Sequence, residues 1–393
     1  MRAVVIRGGR VWAPEPRGVQ DILAVGERIA AVGPALDPPP WANPVVAVDA
    51  READVLPGLV DQHVHIAGGG GEGGPGSDTP PVRLTDLTTA GVTTVVGLLG
   101  TDGTTRSVQG LLARARSLVA EGLTAYIYTG AYEVPTRTIT GSARADLVLI
   151  DRVIGVGEIA VSDPRGTHPS ARELARLAAE AHVGGLLGGK AGVLHVHLGD
   201  GIRRLKTLWT LRRLATVPVQ TLVPTHLNRH RELLADAAAW GAAGGWVDLT
   251  TDIRPDGPGA RAVAAHEAAL WLAEQGVPWD HITFSSDGQG SAPVFDPAGR
   301  VLGLGIGRTA SLFEEVLALR AAGLTWERAV APATLHPARR LGLDDVGRIA
   351  PGCQADLLVV GADGRLRTVI ARGRVMVDEG RPVRFGRFDA PGS

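Results

Sequence analysis

The sequence predicts an α/β protein: a (β/α)8 TIM-like barrel carrying a small β-sandwich formed by the N- and C-terminal segments. Three observations predict it. Apolar runs of strand length recur eight times through the middle of the 393-residue chain. Most are followed by a stretch of helical character, and strand-like alternation with turn residues returns at both ends.

In order, the first fifty-odd residues place short apolar runs at Ala3 to Ile6, Ile22 to Val25, Ile29 to Val32 and Val45 to Val48, separated by Gly and Pro. The eight barrel strands are expected at Leu59 to His63, Val92 to Leu98, Ala125 to Thr129, Val153 to Val161, Val193 to Leu198, Gln220 to Val223, Trp246 to Leu249 and Ile282 to Ser285. Helices are expected at Ser107 to Glu121, Ser170 to His182, Arg229 to Ala242 and Ala260 to Glu274, with a last pair at Thr309 to Ala322 and Thr325 to Val330. Strand patterning resumes at Ala355 to Val360, Leu366 to Ala371 and Val375 to Val377. The expected division is therefore a β unit from residues 1–55 plus 345–393, and a barrel from 56–344.

Composition removes several function classes. Forty basic residues against 41 acidic ones leave a formal charge of −1, which offers no footprint for nucleic acid or an anionic membrane. The single cysteine, Cys353, rules out an intramolecular disulfide and a thiolate zinc cage within one chain. The N-terminus lacks a signal-peptide apolar run, and no stretch has the length and apolarity of a membrane helix, so a cytoplasmic protein is expected. Only Lys190 and Lys206 are lysines, so 40 − 2 = 38 basic residues are arginine.

Catalytic side chains of such barrels project from the C-terminal ends of the strands. There the chain places a set of metal-binding residues. The first strand ends in His63-Val-His65, whose alternation sends both imidazoles to one face. The fifth ends in His195-Val-His197, the sixth in Pro-Thr-His226, the eighth in Ser-Ser-Asp287, and the fourth near Gly155-Val-Gly-Glu158. One histidine in an apolar strand is weak; the ends of the first, fifth, sixth and eighth strands all contributing ligands in barrel order is a metal site. Histidines 168, 182, 230, 266, 281 and 336 fall on helices or connections and are read as structural.

The stretches DQHVHIAGGGGEGGP (61–75), TGAYEVPTRTITGS (129–142), DRVIGVGEIAVSDPR (151–165), PTHLNR (224–229) and SSDGQGS (285–291) resemble the isoaspartyl (β-aspartyl) dipeptidases of the amidohydrolase superfamily, zinc metallopeptidases that cleave β-aspartyl dipeptides. The resemblance runs over nearly the whole chain. It implies two Zn2+ ions: one on His63, His65 and Asp287, the other on His197 and His226, with a bridging carboxylate and a bridging hydroxide. His197 is preferred to His195 by the family motif, although alternation points both the same way. The resemblance further implies that Asp287 moves the catalytic proton, Tyr132 stabilises the oxyanion, and Glu72 recognises the substrate α-amino group. Gly70 and Thr101 match contacts to the aspartyl end, and Arg165, Arg229 and Ser291 match groups that bind substrate carboxylates. A homo-oligomer is also implied.

One departure stands out. Well-known family members bridge their metals with a carboxylated lysine on the fourth strand, and the matching stretch here has no lysine. Glu158 is the carboxylate placed to substitute, in a stretch one residue longer than the lysine version. A glutamate is shorter than a lysine carbamate, so the backbone must come closer, and a bulge at Gly155 to Gly157 is expected to bring it there. The alternatives are a mononuclear site with Glu158 behind it, another amidohydrolase acting on a cyclic amide or an N-acyl amino acid, and a non-catalytic oligomeric scaffold.

Overall fold

The computed structural model describes residues 1–253, 255, 261–295, 301–387 and 389. The chain opens with five strands: β1 (Ala3–Trp12), β2 (Pro16–Val25), β3 (Arg28–Gly33), β4 (Val45–Asp49) and β5 (Asp54–Pro57). It then alternates β6 (Leu59–Val64), α1 (Leu84–Thr88), β7 (Val92–Gly97), α2 (Val108–Glu121), β8 (Thr124–Thr129), α3 (Ala143–Leu149), β9 (Val153–Val161) and α4 (Ala171–Gly188). The alternation continues with β10 (Val193–Leu198), α5 (Lys206–Leu214), β11 (Leu222–Thr225), α6 (Arg231–Ala242), β12 (Val247–Thr250), α7 (Ala265–Glu274) and β13 (Ile282–Ser285). A hairpin, β14 (Ser291–Phe295) and β15 (Val301–Ile306), precedes α8 (Ser311–Ala321), α9 (Trp326–Val330) and α10 (Leu335–Arg340). The chain returns through β16 (Leu357–Val360), β17 (Leu366–Ala371), β18 (Arg374–Asp378) and β19 (Arg381–Pro382).

All eight expected barrel strands form. β6 to β11 make one parallel sheet in sequence order, and β12 pairs with β13, also in parallel. Backbone hydrogen bonds from His65 N to Gly288 O and from Asp287 N to His63 O tie the end of β13 to β6. One buried carboxylate completes the closure. Asp248 on β12 accepts from Gln62 and Thr283 at 2.6 and 2.7 Å through Oδ1, and from Thr225 and Ser285 at 2.6 Å through Oδ2. It thus joins β6, β11, β12 and β13 where the ladder is interrupted. Each strand is buried along its length, which is why these strands read as continuous apolar runs.

Two of the longer helices start where polar residues cap them. Ser107 accepts from Gly110 N in front of α2, and Ser170 with Glu173 forms a capping box in front of α4. Inside the barrel, Val60, Val96, Tyr128, Ile154, Val193 and Val223 pack into a plug under Ala338, Leu341 and Val346. That plug fills one end and leaves the strand C-termini to carry the polar residues.

The β unit built from both termini is present, and its strands pair in one continuous nine-stranded sheet. Its order is β19-β18-β17-β16-β5-β1-β2-β3, with β4 on β1. The junction is the β5–β16 pairing, Leu358 opposite Leu56, which joins strands 300 residues apart. At the far edge Ile29 N donates to Cys353 O, and Gly352 N to Ile29 O, so the sheet curls back toward the segment leading into β16. Its enclosed core includes Val4, Ile6, Ile22, Ile29, Val55, Leu357 and Ile370.

Candidate metal centre

β9 carries an extra residue just before Glu158. Leu194 on β10 faces Val156, but Val196 faces Ile159, so two steps on β10 match three on β9. The expected bulge is therefore present. Gly157 makes it possible: its φ is 150°, and a Cβ there would lie 2.6 Å from His195 O. The bulge pushes the Glu158 side chain into the mouth of the barrel, where it is 1% exposed.

Its two oxygens face different partners. Oε1 lies 3.5 Å from both His63 Nε2 and His65 Nε2. Oε2 lies 3.1 Å from His197 Nδ1 and 3.6 Å from His226 Nε2. Asp287 closes the first group, its Oδ1 3.3 Å from His63 Nε2 and 3.1 Å from His65 Nε2. His226 and Asp287 reach these positions because the chain turns through left-handed backbone at the strand ends, with φ of 63° and 57°. A side chain at position 100 would not be tolerated, since a Cβ on Gly100 would come within 2.7 Å of His65 Cε1.

These residues could hold metal. The donor atoms of His63, His65 and Asp287 all lie within 4.8 Å of one another, as do those of His63, Glu158 and His226. His63 Nε2, His226 Nε2 and Asp287 Oδ1 are buried with no hydrogen-bond partner among the described residues. Buried polar atoms left without partners are costly, and a cation among them removes the cost. The electrostatics agree. Burial pushes the Glu158 and Asp287 carboxyls up, but the charge on His63 and the close approach of the surrounding imidazoles hold both well below the carboxylate range. His63 is in turn held well above its ordinary value by those two carboxylates against the effect of burial. A proton on His63 thus supplies positive charge that a divalent ion would supply better.

Around the cluster stand residues that orient it. His195 is not a member: its Nε2 lies 2.8 Å from His63 Nδ1, and its ring stacks on Tyr128 at 4.9 Å. Burial and the His63 charge depress its pKa, which keeps it neutral behind His63. Thr250 Oγ1 lies 2.6 Å from His226 Nδ1. Asp163 Oδ2 lies 2.9 Å from His197 Nε2. Neither Thr250 nor Asp163 is legible as a site residue in the sequence. The signal for Asp163 was its place two residues before Arg165 at the end of the fourth barrel strand.

The remaining expected residues converge on Glu72. Its Oε1 accepts from Thr101 at 2.9 Å and from Arg165 Nη1 at 3.0 Å, and its Oε2 accepts from Ser291 at 2.7 Å. Burial raises the Glu72 carboxyl, but the Ser291 hydrogen bond, the Arg165 charge and Thr101 outweigh it and keep it ionised. Arg165 and Ser291, expected at substrate carboxylates, are here engaged with Glu72. Gly70 sits in the same loop, bridged to Asp78, with no room for a Cβ against Ser77 O at 2.4 Å. Tyr132 places its hydroxyl 2.8 Å from His197 Nδ1, and burial holds its pKa well above the ordinary value. Arg229 is half-buried three residues after His226, its Nε without a hydrogen-bond partner among the described residues.

The chain is similar to several known proteins. The crystal structure of the beta-aspartyl dipeptidase of Fervidobacterium islandicum AW-1 in complex with beta-Asp-Leu dipeptide has a TM-score of 0.89 and 38% identity, covering 97% of this chain and 98% of that one. Adenine deaminase 2 of Rhizobium meliloti is 27% identical over 385 residues, 94% of this chain and 55% of that protein. A 67-residue stretch is 45% identical to the imidazolonepropionase of Cereibacter sphaeroides and spans 14% of it. The chain therefore spans about half or less of the length of these curated relatives. The amidohydrolase profile matches residues 55–376. With most of its length matched in this way, the chain belongs to the amidohydrolase family.

Proposed function

We propose that this amidohydrolase cleaves the isopeptide bond of β-aspartyl dipeptides with two divalent ions, zinc in the family it resembles, both of which Glu158 would help to hold. The observation that carries the reading is the buried anionic Glu72. It is braced by Arg165 and Ser291 and joined to the cluster through Arg165, whose Nη2 lies 3.4 Å from His197 Nε2. A free substrate ammonium gives this carboxylate a partner, whereas a cyclic amide or N-acyl amino acid gives it none.

In this reading His63, His65 and Asp287 would hold one ion, and His197 and His226 the other. The ions, when bound, make a water strongly nucleophilic near neutral pH and polarise the scissile carbonyl. The chain does the rest. Asp287 takes the proton of the attacking water and returns it to the departing amine. Tyr132 remains protonated in its buried setting and donates to the oxygen that gains charge. Glu72, braced by Arg165 and Ser291, fixes the α-ammonium, Gly70 and Thr101 line the aspartyl end, and Arg229 serves a substrate carboxylate. The reading includes a homo-oligomer in the cytoplasm and the division into residues 1–55 plus 345–393 and 56–344.

Zinc-loaded protein offered β-Asp-Leu, α-Asp-Leu and dihydrouracil tests it. Cleavage of β-Asp-Leu alone is expected; turnover of dihydrouracil without β-Asp-Leu overturns the assignment.

A further inference from the structure

Asp163 has no role in that reaction, yet it joins the two halves of the site. It lies just beyond β9, 5% exposed, with its Oδ2 2.9 Å from His197 Nε2. The same carboxylate takes two parallel hydrogen bonds from one guanidinium, Arg165 Nε to Oδ1 at 3.0 Å and Nη2 to Oδ2 at 2.9 Å. The backbone N–H of Arg165 adds a third, to Oδ1 at 2.8 Å. Space is tight on its far side, since a Cβ on Gly199 would lie 2.6 Å from both Asp163 Cβ and Oδ2. The carboxylate is therefore fixed in place.

An ionised carboxylate only accepts, so the nitrogen facing it must carry the proton. For His197 that nitrogen is Nε2. Arg165 Nη2 stands 3.4 Å from it, a donor beside a donor, and Asp163 accepts from both. The lone pair of His197 then lies on Nδ1, which accepts from the Tyr132 hydroxyl at 2.8 Å and faces Glu158 Oε2 at 3.1 Å, two acceptors that a cation would satisfy together. Arg165 then turns its third nitrogen, Nη1, to Glu72 Oε1 at 3.0 Å.

We propose that Asp163 is a positioning residue: it holds His197 in the tautomer and orientation that present Nδ1 to the second ion, and through Arg165 it ties that imidazole to Glu72. Carboxylates behind histidine ligands raise metal affinity in this way. The inference rests on the binuclear reading above. Its consequence is that binding of one of the two ions depends on a residue that touches neither ion nor substrate.

The test is zinc affinity by chelator competition, with the absorption spectrum of Co2+-loaded protein as a second readout, on wild type, Asp163→Asn and Arg165→Lys. Wild type holding fewer than two ions per chain overturns the binuclear reading itself. With two ions in wild type, Asp163→Asn is expected to weaken one site about 10- to 100-fold and leave the other unchanged, with one cobalt environment altered. Arg165→Lys keeps the charge but loses the two-pronged grip, and it should weaken the same site by a smaller factor. It also serves if Asp163→Asn does not fold. A merely structural Asp163 would lower thermal stability while leaving both affinities within twofold of wild type, and that result overturns the proposal.

Discussion

Glu158 Oε2 lies 3.1 Å from His197 Nδ1, while the other oxygen of the same carboxylate lies 3.5 Å from the imidazoles of β6. One short side chain thus addresses two groups of ligands. In Glu158→Gln an amide replaces one anionic oxygen and the bridge is lost, so metal content should fall from two ions per chain to one or fewer. Metal analysis after gel filtration checks this. Two tightly held ions in the variant would refute the bridging role.

Asp287 is asked to bind metal and move a proton, and only the second role leaves the fold untouched. Asp287→Asn keeps the shape of the side chain, so its melting temperature should stay within a few degrees of the wild type. Its kcat on β-Asp-Leu should drop by roughly 10²- to 10⁴-fold or more, the range of a general acid–base contribution. Near wild-type turnover would remove Asp287 from the proton path.

Much of this arrangement is legible in the sequence, for physical reasons that differ by element. The eight barrel strands show because both faces are covered and every position is apolar or inward. Ser107 and Ser170 mark helix starts because a cap needs a short acceptor there. The bulge before Glu158 shows because a glutamate cannot span the distance of a lysine carbamate. What does not show is pairing at long range. The β5–β16 junction leaves no local trace in either segment, and the β14–β15 hairpin has no periodicity that separates it from a loop. His195 and His197 share a strand face, so alternation cannot tell which one reaches the ion and which supports His63. Asp163 reads as one more acid before a proline, because its partner His197 is 34 residues away.

In the proposed reaction Glu72 is the residue that would separate a dipeptidase from other amide hydrolases on this scaffold. Glu72→Gln removes the charge that an ammonium would meet and leaves Arg165 and Ser291 without their anionic acceptor. The kcat/KM for β-Asp-Leu should fall by about 10- to 200-fold, the range of a lost charged hydrogen bond. N-acetyl-β-Asp-Leu should be a poor substrate of the wild type, and the substitution should matter far less for it. An equal loss on both substrates would show that Glu72 supports the loop rather than reading the amine.

A last prediction concerns the seam between the barrel and the terminal sheet. Asp356 is buried just ahead of β16, its Oδ1 accepting from Arg372 N at 2.7 Å and its Oδ2 without a partner among the described residues. Burial pushes its pKa up to about 7 from 3.8. In the unfolded chain the group ionises near 4, so the folded state binds the extra proton between those values. Folded-state stability from this group is therefore fully present below pH ~4 and is lost as pH rises toward ~7, at up to ~1.4 kcal/mol per pH unit within the window. Asp356→Asn retains the acceptor for Arg372 and cannot ionise. The variant should gain on the wild type in melting temperature as pH rises from 5 to 7.5, and the gap should then level off. A gap independent of pH would mean that Asp356 is ionised throughout and that an unseen partner satisfies it.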